Sequence, residues 1–379
     1  MEEYAMFVSR ETLDELMATV PLEEVVVATG YGVRGTGRSK GIERCPKCGR
    51  DWTHIKINGR RNLFRCMSPS CGWAGNAFHW VMETRGCQFL EAVKYVATLG
   101  DFELPQSTKE EKQRLQRIQK CLQETVRFYG QFSHDYIAKR GITKETAEKY
   151  LVGFAPGGTV LKDHLNQLGF DDVFLEEIKL IRRVGDNLMD SFFNRVVVPI
   201  YLDNRIVDLY GRSIFDKGTK HFYLNGQKIL MGYDEIVSGE PVLIVEGPFD
   251  WLSLKQNKVM NALCTGGASK FSSFHIHRLK KKGVPMVFIG YDTGDKNGSG
   301  QEGAIEAGIL LQEAEIPSRV IQMPEDTDVN KLLRENSIEA YRNLIREALP
   351  FEKYHAFHTL SKIPTNLIHE YLNGLKVPH

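Results

Sequence analysis

The stretch 241-PVLIVEGPFDWLSL-254 sets four apolar residues, Val242 to Val245, directly ahead of Glu246, where a buried strand should end. A carboxylate there needs a reason, because burial disfavours its charged form. Its surroundings supply the fold. From Pro241 onward, short apolar runs alternate with amphipathic stretches: PVLIVEG precedes a predicted helix through Lys255, VMNALCT one through Lys281, PMVFIGYD one through Glu313, and RVIQMP one from Val329. Repeated strand–helix units with continuous apolar strands predict an α/β fold, a parallel sheet covered by helices. Such sheets bind ligands beyond the carboxyl ends of their strands. Glu246 lies at one such end and Asp292 at another.

Acidic residues at neighbouring strand ends repel each other and are driven toward protonation unless a cation compensates them. A hard divalent ion with oxygen ligands, Mg2+ or Mn2+, is the simplest compensation. The candidates are Glu246, Asp250, Asp292, Asp295 and Asp328. Each alone reads more readily as a solvated loop carboxylate or a helix cap, and Asp328 in particular as the cap of the helix from Val329. Recurrence at three strand ends is what points to a metal.

The length of 379 residues predicts two or three domains, and the net charge of +1 says little about partners. Its distribution says more. Between Tyr31 and Cys66 stand ten Lys or Arg against Glu43 and Asp51, an excess suited to a polyanion or to a solvated basic face. No apolar run reaches the roughly 18 residues that span a bilayer, and the acidic start MEEYAMFVSR is unlike a secretory signal, so a cytoplasmic location is expected.

Four of the seven cysteines are Cys45, Cys48, Cys66 and Cys71, two pairs separated by 17 residues. Two thiolate pairs complete a closed tetrahedral shell that holds zinc structurally. WTHIKI and RNLFRC read as strands around an Asn58-Gly59 turn, which gives a zinc ribbon. His54 lies near the first pair, but Cys71 already fills the fourth place. After the ribbon, apolar residues at helical spacing in 76–100 predict two short helices over one of its faces. A polar helix-prone run with its start signal at Ser107 follows. The expected division is a zinc-ribbon DNA-binding domain at 1–104, an intermediate core subdomain at 105–240, the α/β domain at 241–348 and a short helical tail at 349–379.

VLIVEGPFD resembles the first motif of the TOPRIM domain, and VFIGYDTGDKNGSGQEGA its second, which normally reads Asp-x-Asp. A zinc ribbon ahead of a TOPRIM core resembles the bacterial DnaG-type primases. GNAFHWVMETRGCQFLEAVKYVA, YIAKRGITKETAEKYLVGFAP, NRVVVPIYLDNRIVDLYGRSI and TKHFYLNGQKILMGY are similar to further segments of that family, in family order. The resemblance covers roughly residues 40 to 345.

It implies a DNA primase: template-dependent synthesis of short RNA primers on single-stranded DNA from ribonucleoside triphosphates. Glu246 would act in the chemistry or hold a metal, with Asp292, Asp328 and Asp295 binding Mg2+ or Mn2+. Arg140, Arg195, Arg212, Lys220, Asn225 and Lys228 match positions lining the family's template and nucleotide groove. Two departures stand out. Cys48 takes the place of the family's histidine, and Asp292-Thr-Gly-Asp295 is one residue longer than Asp-x-Asp. About 30 residues follow the TOPRIM region, which leads to the expectation of a compact primase of a mobile element, plasmid or phage. A replicative helicase or mobile-element replication proteins would then be its partners. The alternatives are a TOPRIM nuclease or topoisomerase-like enzyme, and a zinc-dependent DNA-binding protein with an inactive TOPRIM domain.

Overall fold

The computed structural model describes residues 8, 10–36, 40–104, 109–215, 218–226 and 229–361. Lys228, the helix start expected at Ser107 and residues 362–379 of the expected tail lie outside them. Along the chain the strands are β1 (Val33–Arg34), β2 (Gly41–Ile42), β3 (Ile55–Asn58), β4 (Leu63–Cys66), β5 (Ala74–Asn76), β6 (Gly153–Ala155), β7 (Ile181–Val184), β8 (Asn187–Asp190), β9 (Arg195–Leu202), β10 (Arg205–Ser213), β11 (His221–Tyr223), β12 (Val242–Val245), β13 (Ala262–Cys264), β14 (Val287–Ile289), β15 (Ser318–Val320) and β16 (Leu349–Pro350). They fall into two units: residues 1–128, 158–191 and 272–281 form one, and 129–157, 192–271 and 282–379 the other.

In the first unit β1 to β5 form one sheet in sequence order. Alternation decides its faces. Ile55 and Ile57 pair with Cys66 and Phe64 on the buried side, while Lys56 and Arg65 pair on the other. The expected helices are Ala77–Thr84 and Phe89–Leu99, whose Phe78, Trp80, Val81, Val93 and Val96 share the core of Ile55, Ile57 and Phe64. Two N-terminal helices, Arg10–Thr19 and Leu22–Ala28, complete that core with Leu16, Val25 and Val26.

The β3–β4 connection spans residues 59–62, wider than a two-residue turn at Asn58-Gly59. Its last residue explains the width. Asn62 adopts φ +53°, which Asn tolerates better than most residues. Its Oδ1 accepts from the Leu22 N–H at 2.6 Å, and its Nδ2 donates to the Met17 and Val20 carbonyls at 2.6 and 2.8 Å. One side chain thus ties the ribbon hairpin to the junction of the two N-terminal helices.

In the second unit an antiparallel sheet, order β11-β10-β9-β6, shares a core with a five-stranded sheet, order β13-β12-β14-β15-β16. The latter is parallel from β13 to β15, and β16 closes its edge antiparallel. All four residues of β12 are buried, as a central parallel strand requires. The chain leaves β12 for β13 on one side and then crosses to β14 on the other, so the strand order reverses between β12 and β14. That switch point is where an open α/β sheet forms its binding crevice. Among the described residues no helix is long and apolar enough to cross a membrane.

Replacing Asn62 with Ala should destabilise the ribbon unit by roughly 2 to 3 kcal/mol, since it strands buried backbone groups. Tryptophan fluorescence during urea unfolding checks this, because Trp52, Trp73 and Trp80 all lie in that unit. An unchanged midpoint would show that water replaces the amide at no cost.

Candidate active site and zinc centre

Each cysteine pair sits in a turn closed by its own backbone. Gly49 N–H donates to the Cys45 carbonyl at 2.9 Å, and Cys71 and Gly72 N–H donate to the Ser68 carbonyl at 3.0 Å. The glycine after each pair, Gly49 (φ +68°) and Gly72 (φ +59°), adopts the left-handed conformation that turns the chain away. The four Sγ atoms lie within 4.8 Å of one another, with Cys45 to Cys71 at 4.0 Å and Cys48 to Cys66 at 3.7 Å. Sulfurs about 2.3 Å from one tetrahedral ion stand roughly 3.8 Å apart, so the set fits zinc. Burial pushes the Cys45 and Cys66 thiols up, and a bound cation reverses that preference. The four intervening residues of the second pair are accommodated by the Ser68 turn. His54 is engaged elsewhere, with Nδ1 2.9 Å from Thr53 Oγ1 and 3.2 Å from Asp51 Oδ1.

The second centre is a crevice of about 320 Å3 in the other unit. Its lining includes the acids Glu246, Asp250, Asp292 and Asp328 together with Arg140, Arg212, His221, Tyr210 and Tyr223. Glu246 follows β12, and its Oε1 accepts from the Asp292 N–H at 3.0 Å, so the two strand ends of the switch point are bonded directly. Burial holds the Glu246 carboxyl above its usual range, with Asp295 and Asp328 adding to the effect. Burial, followed by the charges of Asp250, Glu246 and Asp328, pushes Asp292 up to about 9. Its Oδ1 is buried without a hydrogen-bond partner. A buried carboxylate oxygen with no donor, among other acids, is the chemistry a divalent cation completes. Glu246, Asp292 and Asp328 thus fit the expected ion, although among the described residues only the cysteines gather to within 4.8 Å.

Asp328 has two duties. Its Oδ1 caps the helix Val329–Glu335 by accepting from the Lys331 N–H at 2.5 Å, and its Oδ2 lies 3.6 Å from Arg140 Nη2. Asp250 is a strut. Its oxygens accept from the Gly247 and Asn330 N–H groups at 3.1 and 2.9 Å, which joins the starts of two helices beneath the crevice.

Asp295, expected among the metal ligands, does not line the crevice. It accepts from the Asn297 N–H at 3.0 Å and from Ser299 Oγ at 2.8 Å, bonds that hold its carboxyl below the usual range. The loop that holds the extra residue of Asp292-Thr-Gly-Asp295 is bonded to the exit of β15. Thr293 Oγ1 donates to the Ile321 carbonyl at 3.0 Å and accepts from the Met323 N–H at 2.8 Å. A Cβ on Gly294 would lie 2.0 Å from the Pro324 carbonyl, so only glycine follows the β15 exit this closely.

Of the expected groove residues, Arg140 and Arg212 reach the crevice and Arg195, Lys220 and Asn225 do not. Arg195 donates to the Gly211, Lys220 and Thr219 carbonyls at 3.2, 3.3 and 2.8 Å and closes the β10–β11 turn. Asn225 Nδ2 donates to the Val207 carbonyl at 3.2 Å, and Lys220 is exposed. Sequence reasoning missed His221, Tyr210 and Tyr223. The signal was the pairing of YGR with HFY: the register sets Arg212 opposite His221 and Tyr210 opposite Tyr223, on one face of the sheet.

Three family models match the chain: CHC2 zinc finger over residues 8–112, DNA primase catalytic core, N-terminal domain over 123–231, and Toprim-like over 243–333. A DNA primase of Legionella pneumophila is 24% identical over 375 residues, covering 92% of this chain and 63% of that protein. The chain thus spans less than two thirds of that relative's length. The Aquifex aeolicus primase structure, of zinc-binding and RNA polymerase domains, is 24% identical with a TM-score of 0.55 and covers 89% of this chain and 85% of that one. A DnaG primase catalytic domain bound to single-stranded DNA is 20% identical with a TM-score of 0.57, covering 67% and 88%. With the ribbon model and the sulfur geometry in agreement, the four cysteines form a structural zinc site.

Elemental analysis should give one zinc per chain. Cys66→Ser should lose it and unfold the ribbon while the second unit stays folded, because structural zinc contributes about 10 to 16 kcal/mol in small modules. Native protein purified without zinc would contradict the assignment.

Proposed function

Since the chain belongs to the DnaG-type primases, we propose that it synthesises short RNA primers de novo on a single-stranded DNA template from ribonucleoside triphosphates. The observation that carries the reading is the gathering of both charges in one crevice, whose lining combines Glu246, Asp292 and Asp328 with Arg140 and Arg212. A nucleotidyl transferase needs both signs within reach of a triphosphate: acids for the divalent ions and arginines for the phosphate oxygens. The DNA-bound relative supports the choice of template.

Glu246, Asp292 and Asp328 would hold Mg2+ or Mn2+, which lowers the pKa of an attacking 3′-hydroxyl and stabilises a pyrophosphate leaving group. Glu246 also orients the Asp292 backbone through its 3.0 Å bond, so the two ligands move as one piece. Arg140 stacks over Phe249 at 5.2 Å, which limits its swing above Asp328. Asp295 is assigned a loop-holding role at the start of the helix Ser299–Glu313. The basic stretch between Arg34 and Arg65, within the ribbon, would contact template phosphates. The division at 104/105, 240/241 and 348/349 is retained as the functional one: template binding, groove, catalysis and tail.

Incubation with single-stranded DNA, labelled ribonucleotides and Mg2+ or Mn2+ tests the reading. Short RNA is expected. Cleaved DNA would indicate a nuclease, and binding without either product would indicate a regulatory DNA-binding protein. Glu246→Gln should lower synthesis a hundredfold or more, roughly the scale of a lost electrostatic contact at a reacting centre, with DNA affinity unchanged. Asp295→Ala should leave the Mg2+ concentration for half-maximal synthesis within about twofold of wild type, whereas Asp292→Asn should raise it at least tenfold. Equal shifts in the two variants would return Asp295 to the coordination shell.

A further inference from the structure

Three side chains of the crevice lining, Arg212, His221 and Tyr210, form a continuous hydrogen-bonded row with Tyr136. Arg212 Nε donates to the Tyr136 hydroxyl at 3.1 Å, Arg212 Nη1 lies 2.7 Å from His221 Nε2, and His221 Nδ1 lies 2.9 Å from the Tyr210 hydroxyl. A guanidinium only donates, so the 2.7 Å contact requires a lone pair on Nε2 and places the ring proton on Nδ1. Tyr210 accepts that proton and fixes the tautomer. We infer that His221 is a positioning residue for nucleotide binding: as acceptor it locks the Arg212 guanidinium against the crevice wall, presenting it to the triphosphate of the incoming nucleotide. The inference rests on the primase reading above.

Three further observations support it. Arg212 and His221 are directly paired between β10 and β11, so the backbone sets their approach. Burial, with the charge of Arg212 next, holds His221 down to about 4, so the ring is neutral near pH 7 and its lone pair is available. The anchors at either end are themselves fixed: Tyr136 packs edge-on against Phe249 at 5.8 Å, and Tyr210 is 1% exposed. Arginine that is held in place loses less freedom on taking up an anion.

The test is equilibrium binding of Mg·ATP to the full-length protein, beside steady-state primer synthesis. His221→Phe keeps the ring volume and removes the acceptor. It should weaken Mg·ATP binding and raise KM for nucleotide about tenfold, the range of a hydrogen bond to a charged group, with kcat within about threefold. Arg212→Ala should weaken binding at least as much. His221→Gln, whose amide oxygen can accept from the guanidinium, should stay within about threefold of wild type. Tyr210→Phe, which frees the tautomer, should weaken binding about two- to threefold and carries the test if His221→Phe does not fold. Wild-type affinity in His221→Phe, or equal losses in His221→Phe and His221→Gln, would overturn the inference, as would a wild-type protein that does not bind Mg·ATP. Protein that shows the expected binding series yet makes no RNA would overturn primer synthesis and leave the role of His221 standing.

Discussion

Glu246 and Asp292, both half-buried, stand at adjacent ends of a parallel sheet, where reduced contact with water leaves one charge less screened from the other. Most of the second unit can be read as the accommodation of that pair. Glu246 takes the Asp292 N–H as its donor, which leaves Asp292 Oδ1 without one. Asp250, buried in the crevice lining, adds its own charge to that of Asp292. Partial relief comes from Arg140, which lies 3.6 Å from Asp328 and offsets the charge on Asp250. The glycines follow from the same crowding. A Cβ on Gly300 would lie 2.1 Å from the Asp292 carbonyl, so the helix Ser299–Glu313 begins against the acidic strand end only because that residue has no side chain.

The first unit solves a different problem. Strands of two to four residues cannot bury enough surface to hold a sheet together, and small folds of this kind depend on a metal or on added helices. Both are present. The sulfurs of Cys45 and Cys66 are buried beside Ile55 and Phe64, while Trp73 and Trp80 stack at 5.5 Å and Phe64 lies 4.3 Å from Trp73. The cysteine site and the aromatic cluster therefore meet at one end of the hairpin, where the Cys66 N–H donates to the Trp73 carbonyl at 2.7 Å, and Asn62 anchors its tip.

Much of this was legible in the sequence, because it was written in short-range patterns. Continuous apolar runs gave β12 to β15, cysteine spacing gave the ribbon, and Glu246 and Asp292 stood out as charges at the ends of such runs. The turn at residues 59–62 was not legible. Asn58-Gly59 is a strong local hairpin signal, but Asn62 is drawn forty residues back in the chain to Leu22, and no local rule encodes that. The course of the Asp295 loop was not legible for a related reason. Glycine-rich loops show where a chain can bend but not which way, and the bonds of Thr293 to the exit of β15 decided it.

The arginines show the same limit most clearly. Arg195 and Arg212 are both strand residues beside apolar runs and look equivalent in sequence. The β9–β10 register pairs Arg195 with Ser213 and Arg212 with Val196. Since successive side chains in a strand point to opposite faces, that single-residue offset puts the two arginines on opposite sides of the sheet. On one side Arg195 meets carbonyls of the β10–β11 turn and Phe222, and it closes a loop. On the other Arg212 meets Tyr136 and His221 and faces the crevice. What separates a structural arginine from an anion-binding one here is therefore not its neighbours in sequence but the parity of its position, which becomes readable once the register is known. The same parity places His221 and Tyr223 beside Arg212 and Tyr210 and turns Phe222 away, so the pairing of two tripeptides, YGR and HFY, sets which side chains this sheet contributes to the crevice.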